Sequence, residues 1–354
     1  MSVLDLARPE LLRMQAYSSA RMEASGGEIF LNANESAWPS HGKGPSFHRY
    51  PEPQPAALVD QLAALYGVTS DRLLVSRGSD EAIDLLTRAF CRAGRDAIVV
   101  MPPTFGMYAI CAQIQDAAVL EAPLDNQFNV VIDTVLAAVT DAVKLVYVCS
   151  PNNPSGQRVP GETIVALADA LQGRALLVVD EAYAEFSGQD QASALDLLDR
   201  YEHLVVLRTL SKAWALAGAR VGALLGTPAL VALLRKIIPP YPLPTPCVDA
   251  ALRALSPEGR AAVSAQVDQV RSQREALAHA LAHLPAVREV LPSSANFLTV
   301  RFADAAVAYR RLFDAGVVVR DVRRYRHLGD ALRITVGTPD ENRRVLAVLQ
   351  GVSA

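Results

Sequence analysis

One lysine in this sequence lies in a setting that could make its amine a nucleophile. Lys212 comes soon after an apolar run at 204–207, with hydroxyls at Thr209 and Ser211 and a cation at Arg220. An amine in apolar surroundings can have a lowered pKa and can then form an imine with an aldehyde. The hydroxyls and the arginine suit a phosphate group, so the stretch predicts a site for pyridoxal phosphate. Taken alone, the motif is also compatible with an ordinary surface lysine at a strand end.

Two further polar positions follow apolar runs that predict strands. The run at 176–179 ends at Asp180, and a second run leads into a proline-rich turn that contains Asn153. Ligands of open α/β sheets bind at the carboxyl ends of strands. A pyridoxal phosphate enzyme needs an acid that keeps the pyridine nitrogen protonated, and Asp180 is the candidate. Tyr183 and Asn153 are candidates for the phenolic oxygen, although Asp180 alone is equally typical of a helix cap and Asn153 of a turn.

A glycine turn between a short strand and a helix predicts the phosphate site. The apolar run at 73–75 precedes Gly78, Ser79 and Asp80, after which apolar residues recur at helical spacing. A helix N-terminus offers free N–H groups and a positive dipole end to a phosphate. The plain alternative is a capped helix without a ligand. Phe105, which follows the next apolar run, could stack on a pyridine ring or belong to the core.

Composition and charge agree with a soluble protein of two domains, and the cysteines suggest the cytoplasm. The 354 residues are 51% hydrophobic and 20% charged, enough to bury a large core, and the net charge of −3 argues against nucleic acid as a partner. No apolar run reaches the ~20 residues that span a membrane, and the N-terminus lacks the apolar core of a signal peptide. The four cysteines have no metal-ligand spacing, so we expect free thiols in a reducing compartment and no metal.

The order of predicted elements indicates an α/β fold in two domains. Residues 1–30 form an arm, and 31–238 alternate strands with helices, which predicts a mainly parallel, helix-covered sheet. The four prolines at even positions from 240 to 246 mark the boundary and are expected to exclude a helix there. A small α+β domain, 239–354, follows. Its predicted elements are a long helix near 260–284, a helix at 303–313 and strands near 297–300, 317–320 and 331–336.

These positions resemble those of the fold-type I aminotransferases that use pyridoxal phosphate and, within them, of the histidinol-phosphate aminotransferases. The resemblance covers nearly the whole chain. The segments that carry it are LNANE at 31–35, RYPEPQP at 49–55, RGSDE at 77–81, PPTFGMY at 102–108, CSPNNPSG at 149–156, DEAY at 180–183, RTLSK at 208–212 and LRITVGT at 332–338. Two departures stand out, because Phe105 replaces a frequent tyrosine and the segment after Asn34 differs from the usual Asn-Pro-Tyr-Gly.

The resemblance implies a role for each candidate residue. Lys212 would bind the cofactor covalently and then shuttle a proton, and Phe105 would stack on the ring. Tyr50 would contact the phosphate of the neighbouring subunit's cofactor, in a homodimer with shared active sites. The positions implied around the phosphate of the cofactor are Gly78, Ser79, Asp80, Thr209, Ser211 and Arg220. Those implied for the substrate are Arg333 and Arg320, which would grip an anion, with Tyr17 and Asn34 near its side chain.

The reaction implied is transamination between histidinol phosphate and 2-oxoglutarate, giving imidazole-acetol phosphate and glutamate in histidine biosynthesis. An aromatic amino-acid aminotransferase is an alternative, because Arg333 would serve a carboxylate as well as a phosphate. A phosphothreonine-type decarboxylase on the same scaffold is another, and a silent binding or regulatory protein with this fold is the non-enzyme alternative. The basic cluster at 323–327 is typical of a solvated loop, but its place beside Arg320 suggests a role toward a substrate phosphate.

Overall fold

The structure is a computed structural model that describes residues 2–18, 29–39, 46–188 and 192–351. Its helices are α1 (Pro9–Arg13), α2 (Ala56–Tyr66), α3 (Gly78–Phe90), α4 (Met107–Ile114), α5 (Ile132–Ala138), α6 (Gly161–Leu171), α7 (Pro228–Arg235), α8 (Thr245–Leu255), α9 (Pro257–Ala282), α10 (Ala305–Asp314) and α11 (Pro339–Gln350). Its strands are β1 (Leu73–Ser76), β2 (Ala97–Val100), β3 (Ala118–Glu121), β4 (Val143–Cys149), β5 (Leu176–Asp180), β6 (Leu204–Thr209), β7 (Gly222–Leu225), β8 (Val287–Val290), β9 (Phe297–Phe302), β10 (Arg320–Asp321) and β11 (Ala331–Thr335).

Seven strands form the large sheet, in the order β1-β7-β6-β5-β4-β2-β3. β7 is antiparallel to β1 and β6, and the other neighbouring pairs are parallel. Strands such as β5 and β6 are buried along their whole length, as expected when helices cover both faces of a parallel sheet. The predicted mainly parallel α/β sheet is confirmed. Because β4, β5 and β6 are adjacent, the segments that follow their carboxyl ends meet at one edge of the sheet.

Helices pack on both faces of this sheet through apolar stripes. In α3 the buried residues include Ile83, Leu86 and Phe90, the helical spacing seen in the sequence. Separate buried clusters lie on the two faces, one containing Leu62 and Leu167 and the other containing Leu86. The rigid two-sided core fixes where α3 begins, and that beginning lies beside the ends of the central strands. None of the helices in the described ranges is both long and apolar enough to cross a membrane.

The C-terminal part of the chain forms a second, antiparallel sheet in the order β10-β11-β9-β8. Helices α9, α10 and α11 pack against it around a cluster that includes Leu281, Phe302 and Leu312. In the register of β10 and β11, Arg320 lies directly opposite Arg333. The small sheet therefore presents two arginines from neighbouring strands as a cross-strand pair.

Three boundaries differ from the sequence predictions. The proline-rich segment was expected to exclude a helix, but α8 begins at Thr245 with Pro246 in its first turn, where a missing N–H costs nothing. The strand predicted at 317–320 is reduced to Arg320–Asp321. The long helix starts earlier than predicted, at Pro257, because Ser256 caps it by accepting a hydrogen bond from the N–H of Gly259.

Candidate active site

A cavity of about 100 Å³ lies at the carboxyl edge of the large sheet, and we call it the inner cavity. Its walls are formed by Ser79, Asp80, Phe105, Cys149, Asn153, Asp180, Ala182, Tyr183, Thr209, Ser211, Lys212 and Arg220. All but Cys149 and Ala182 were singled out from the sequence. The elements that bring these residues together are β4, β5, β6 and the first turn of α3.

Lys212 lies on the loop after β6 and borders the inner cavity with its amine. Part of the residue remains exposed, and its Nζ lies 5.6 Å from the centre of the Tyr183 ring. Burial, together with the nearby cations of Arg333 and Arg220, lowers the pKa of the Lys212 amine. A lowered pKa increases the neutral fraction of an amine at a given pH, and the neutral amine is the nucleophile.

Asp180 ends β5 as a buried carboxylate, with only 2% of the residue exposed. Its Oδ2 accepts a hydrogen bond from the Tyr108 hydroxyl at 2.7 Å, and its Oδ1 accepts one from the N–H of Ala182 at 3.1 Å. Burial raises the pKa of Asp180 to about 6, against the effect of these two donors. Tyr108 was not recognised from the sequence as a site residue, although it lies in the segment at 102–108 that carried the resemblance.

Asn153 and Tyr183 lie beside each other on the wall that the cavity shares with the small sheet. The Asn153 amide donates to the Tyr183 hydroxyl at 3.4 Å, and Arg333 donates to the Asn153 side-chain oxygen. The Tyr183 ring packs edge-on against Phe297, with centroids 5.3 Å apart. Burial raises the pKa of Tyr183, so that its hydroxyl stays protonated and available as a donor.

The first turn of α3 forms the opposite end of the inner cavity. The helix begins at Gly78 without a side-chain cap, so its first N–H groups have no partner within the helix. Arg220 reaches toward this turn, with Nη2 2.9 Å from Asp80 Oδ2 and Nη1 3.3 Å from Ser211 Oγ. The Thr209 hydroxyl donates to the same Ser211 oxygen at 3.0 Å. A helix N-terminus, hydroxyls and a guanidinium therefore converge on one point, which is the arrangement that binds anions.

A buried ion pair holds the two segments that carry Asp180 and Lys212. Arg208, near the end of β6, lies 2.7 Å from Glu181, and both side chains are at least nine-tenths buried. Glu181 also accepts hydrogen bonds from the Ser193 hydroxyl at 2.6 Å and the Ala194 N–H at 2.8 Å. A buried pair that is hydrogen-bonded in this way is costly to break from one side. The network therefore fixes the ends of β5 and β6 relative to each other.

A larger cavity of about 350 Å³ adjoins the first and leads outward, and we call it the outer cavity. It shares Phe105, Asn153, Tyr183 and Lys212 with the inner cavity, and the small sheet and its loop add Arg320, Val322, Arg324, Tyr325 and Arg333. The basic cluster splits here, because Arg324 lines the cavity while Arg323 pairs with Asp321 at 2.7 Å and Arg326 turns to His327.

The arginines of the outer cavity are short of anionic partners. Within the described residues, Arg320, Arg324 and Arg333 form no ion pair, and the buried Nε of Arg333 has no hydrogen-bond partner. Like charges directly opposite each other on neighbouring strands destabilise a sheet, and Arg320 and Arg333 are such a pair. A bound anion relieves this repulsion, so the outer cavity is suited to a ligand with two negative charges.

Three predicted site residues are not brought to either cavity within this chain. Tyr17 is 70% exposed, and Asn34 is exposed with a left-handed φ of 55°. Tyr50 is 51% exposed, stacks on Tyr241 with centroids 4.5 Å apart, and borders a separate cavity beside Asn34 and Thr245. Their implied roles therefore stay predictions.

The residues of the inner cavity fit pyridoxal phosphate. A buried carboxylate at one end matches a protonated pyridine nitrogen, and the donors of Asn153 and Tyr183 match its phenolic oxygen. The backbone of Gly78 lies so close to Arg220 that a Cβ at this position would be 2.8 Å from Arg220 Nη2. Lys212, whose amine has a lowered pKa, lines the same cavity and supplies the group that an aldehyde needs. In contrast, the described residues contain no group of three or more His, Cys, Asp or Glu side chains that could hold a metal ion.

Comparisons with known proteins agree with this geometry. The sequence profile of the family described as aminotransferase class I and II matches residues 26–349. A histidinol-phosphate aminotransferase of Stenotrophomonas maltophilia is 53% identical over 356 residues, covering 98% of this chain and 96% of the relative. Another, from Xanthomonas euvesicatoria, is 52% identical over 354 residues, with coverages of 99% and 97%. The crystal structure of histidinol-phosphate aminotransferase from Sinorhizobium meliloti in complex with pyridoxal-5'-phosphate has a TM-score of 0.77 at 27% identity, covering 86% of this chain and 83% of that one.

Proposed function

The chain belongs to the class I and II aminotransferases, and we propose that it is a histidinol-phosphate aminotransferase that uses pyridoxal phosphate. It transfers the amino group of histidinol phosphate to 2-oxoglutarate, giving imidazole-acetol phosphate and glutamate in histidine biosynthesis. Relatives with this name match more than half of the residues across almost the whole chain.

The observation that carries the proposal is the cross-strand pair of Arg320 and Arg333 beside Lys212. Both arginines line the outer cavity, and neither has an acidic partner within the described residues. A planar guanidinium binds phosphate and carboxylate through two parallel hydrogen bonds. The phosphate group of histidinol phosphate carries close to two negative charges at neutral pH and 2-oxoglutarate carries two carboxylates, so one pair of cations can hold either substrate in turn.

Each residue of the inner cavity has a defined task in this proposal. Pyridoxal phosphate, when bound, supplies an aldehyde for the substrate amine and a ring that takes up the electron pair released at the substrate carbon. Asp180 would hold a proton on the pyridine nitrogen, and Asn153 and Tyr183 would donate to the phenolic oxygen. Phe105 would stack on the ring, while the turn at Gly78 would bind the phosphate. The remaining phosphate contacts come from Ser79, Asp80, Thr209, Ser211 and Arg220.

Lys212 moves the proton on which transamination depends. Its lowered pKa favours the neutral amine, which would take the proton from the substrate carbon and, with the cofactor bound, would deliver it to the cofactor carbon. Arg333 lies next to the amine and holds the substrate anion, so that the reacting carbon faces Lys212. Arg333 thus both lowers the pKa of Lys212 and orients the substrate.

A homodimer with shared active sites is part of the proposal, and the N-terminal region supports it. Ile29, Leu31 and Trp38 are 82%, 83% and 78% exposed, a concentration of apolar surface in one short segment. Large exposed apolar patches are typical of interfaces between proteins. Tyr50 lies close in sequence to this surface and away from its own inner cavity, so we propose that it reaches the phosphate site of the partner subunit. Tyr17 and Asn34 complete the substrate side in that assembly.

We place the enzyme in the cytoplasm. Cys91, Cys111, Cys149 and Cys247 are all free thiols, and burial raises the pKa of Cys149 to about 12. Free, protonated thiols are typical of proteins that work in a reducing compartment.

Half-reactions with three amines test the substrate. The purified enzyme with bound cofactor is mixed in turn with histidinol phosphate, phenylalanine and phosphothreonine, and the absorbance of the cofactor and the release of carbon dioxide are followed. We expect the fastest absorbance change with histidinol phosphate, without carbon dioxide. An equal rate with phenylalanine would favour an aromatic amino-acid aminotransferase. Release of carbon dioxide from phosphothreonine would favour a decarboxylase, and the absence of any absorbance change with all three amines would favour a silent binding protein.

A further inference from the structure

We infer that Tyr108 is a positioning residue for cofactor binding. It holds in place Asp180, the acid at the pyridine nitrogen, and Phe105, the ring that stacks on the cofactor. Tyr108 lies outside the inner cavity and touches neither cofactor nor substrate in the proposed arrangement. The inference rests on the proposed function, because it assumes that Asp180 faces the pyridine nitrogen.

Tyr108 is fixed by packing against two aromatic rings. The residue is 0% exposed in the first turn of α4, and its ring stacks on Tyr147 with centroids 4.5 Å apart and planes 8° from parallel. Phe105 meets it edge-on, with centroids 5.6 Å apart at 81°. Both contacts are geometries that aromatic pairs favour. The orientation of Phe105 toward the cavity therefore depends on the Tyr108 ring.

The Tyr108 hydroxyl acts on Asp180 as well. It donates to Oδ2 at 2.7 Å, a short contact of the kind made to a charged acceptor. Burial beside Asp180 raises the pKa of Tyr108 well above its usual range, so the tyrosine keeps its proton and remains a donor. Ala182 occupies the other oxygen through its N–H at 3.1 Å. The carboxylate is therefore held in one orientation, with its remaining acceptor capacity free for the cavity.

The donated hydrogen bond has a chemical consequence. A buried carboxylate without partners prefers to be neutral, and a hydrogen bond to its charged form opposes that preference. With the Tyr108 hydroxyl in place, the proton shared between Asp180 and a pyridine nitrogen stays on the nitrogen. Without it, Asp180 becomes a stronger base and draws the proton away, which weakens both the ion pair and cofactor binding.

The test compares Tyr108→Phe with Tyr147→Phe, which removes a buried hydroxyl from the same stack. The Tyr147 hydroxyl lies 3.5 Å from both the Thr87 hydroxyl and the Ile83 carbonyl, and within the described residues it forms no hydrogen bond to Asp180. For each variant we would measure cofactor affinity by absorbance titration of the cofactor-free protein, and ring protonation from the ¹⁵N signal of labelled pyridoxal phosphate. Urea unfolding of the same proteins reports any general loss of stability.

We expect Tyr108→Phe to raise the dissociation constant of the cofactor by roughly tenfold or more, since a hydrogen bond to a charged group is worth that much. Its ¹⁵N signal should move toward the unprotonated position. Tyr147→Phe should leave the dissociation constant within about twofold of the wild-type value and should leave the ¹⁵N signal at the wild-type position. Equal effects of the two variants on affinity and on the ¹⁵N signal would overturn the inference.

An Asp180→Ala background separates this inference from the proposed function. If Asp180 faces the cofactor, Asp180→Ala alone weakens binding, and adding Tyr108→Phe changes the affinity little further. Should Asp180→Ala leave cofactor affinity unchanged, the assignment of the acid fails, and the inference with it. If Asp180→Ala weakens cofactor binding and Tyr108→Phe lowers the cofactor affinity by the same factor in the wild type and in the Asp180→Ala variant, only the role of Tyr108 is refuted.

Discussion

Replacing Gly78 with alanine should weaken cofactor binding more than it weakens the fold. Gly78 has a φ of 75°, and a Cβ at this position would lie 2.8 Å from Nη2 of Arg220. The left-handed backbone costs an alanine about 1–2 kcal/mol of folding free energy. The contacted atom is the end of a flexible side chain, so the guanidinium moves rather than the backbone.

The displacement of Arg220 sets the size of the effect on binding. Its guanidinium is held by Asp80 at 2.9 Å and by Ser211 at 3.3 Å, beside the free N–H groups that begin α3. A hydrogen bond to a charged group contributes about 1.5–3 kcal/mol. Losing one such bond to the phosphate of the cofactor should raise the dissociation constant roughly ten- to hundredfold.

Gly67→Ala is the matched control for the backbone cost. Gly67 has a φ of 67°, and a Cβ there would have nothing within 4 Å. Urea unfolding of the cofactor-free proteins should show similar losses of folding free energy for the two variants, and absorbance titration should show weakened binding for Gly78→Ala only. In an Arg220→Ala background, Gly78→Ala should cost no further affinity. Equal cofactor affinity in the two glycine variants would refute the reasoning.

Three further predictions concern the chemistry and the assembly. Lys212→Ala should keep its folding free energy but lose at least ~10²–10⁴-fold in kcat, since it removes the proton carrier; near-normal turnover would rule out the mechanism. A lysine cannot make the two parallel hydrogen bonds of an arginine. Arg320→Lys should therefore raise KM for histidinol phosphate more than for an unphosphorylated amine. Arg333→Lys should raise KM for both the amino donor and 2-oxoglutarate. Equal losses for both amines in Arg320→Lys would contradict a phosphate role. Mixing Lys212→Ala subunits with Tyr50→Phe subunits should give more activity than either parent, because a hybrid dimer holds one site with both wild-type residues. Activities that only average the parents, after confirmed subunit exchange, would place Tyr50 in its own chain.

The sequence was sufficient to single out all the residues that line the inner cavity except Cys149 and Ala182, because the signals involved are local. Apolar runs identified β4, β5 and β6, and polar residues such as Asp180 and Lys212 follow them directly. Parallel strands end at one edge of a sheet, so residues after neighbouring strands had to meet there. The same local reasoning failed at Thr245, where helix α8 begins inside the proline-rich segment, since a proline in the first turn loses no hydrogen bond.

The tertiary structure alone decided the contacts that cross large sequence distances. Tyr108 and Asp180 are 72 residues apart, and their hydrogen bond depends on how α4 packs over the end of β5. Arg320 and Arg333 face each other only because of the register of β10 and β11, which no local pattern specifies. Arg220 reaches α3 because β7 enters the sheet between β1 and β6 in the opposite direction. Spacing along the chain identifies the chemical groups, whereas strand order, register and helix packing determine which of those groups touch.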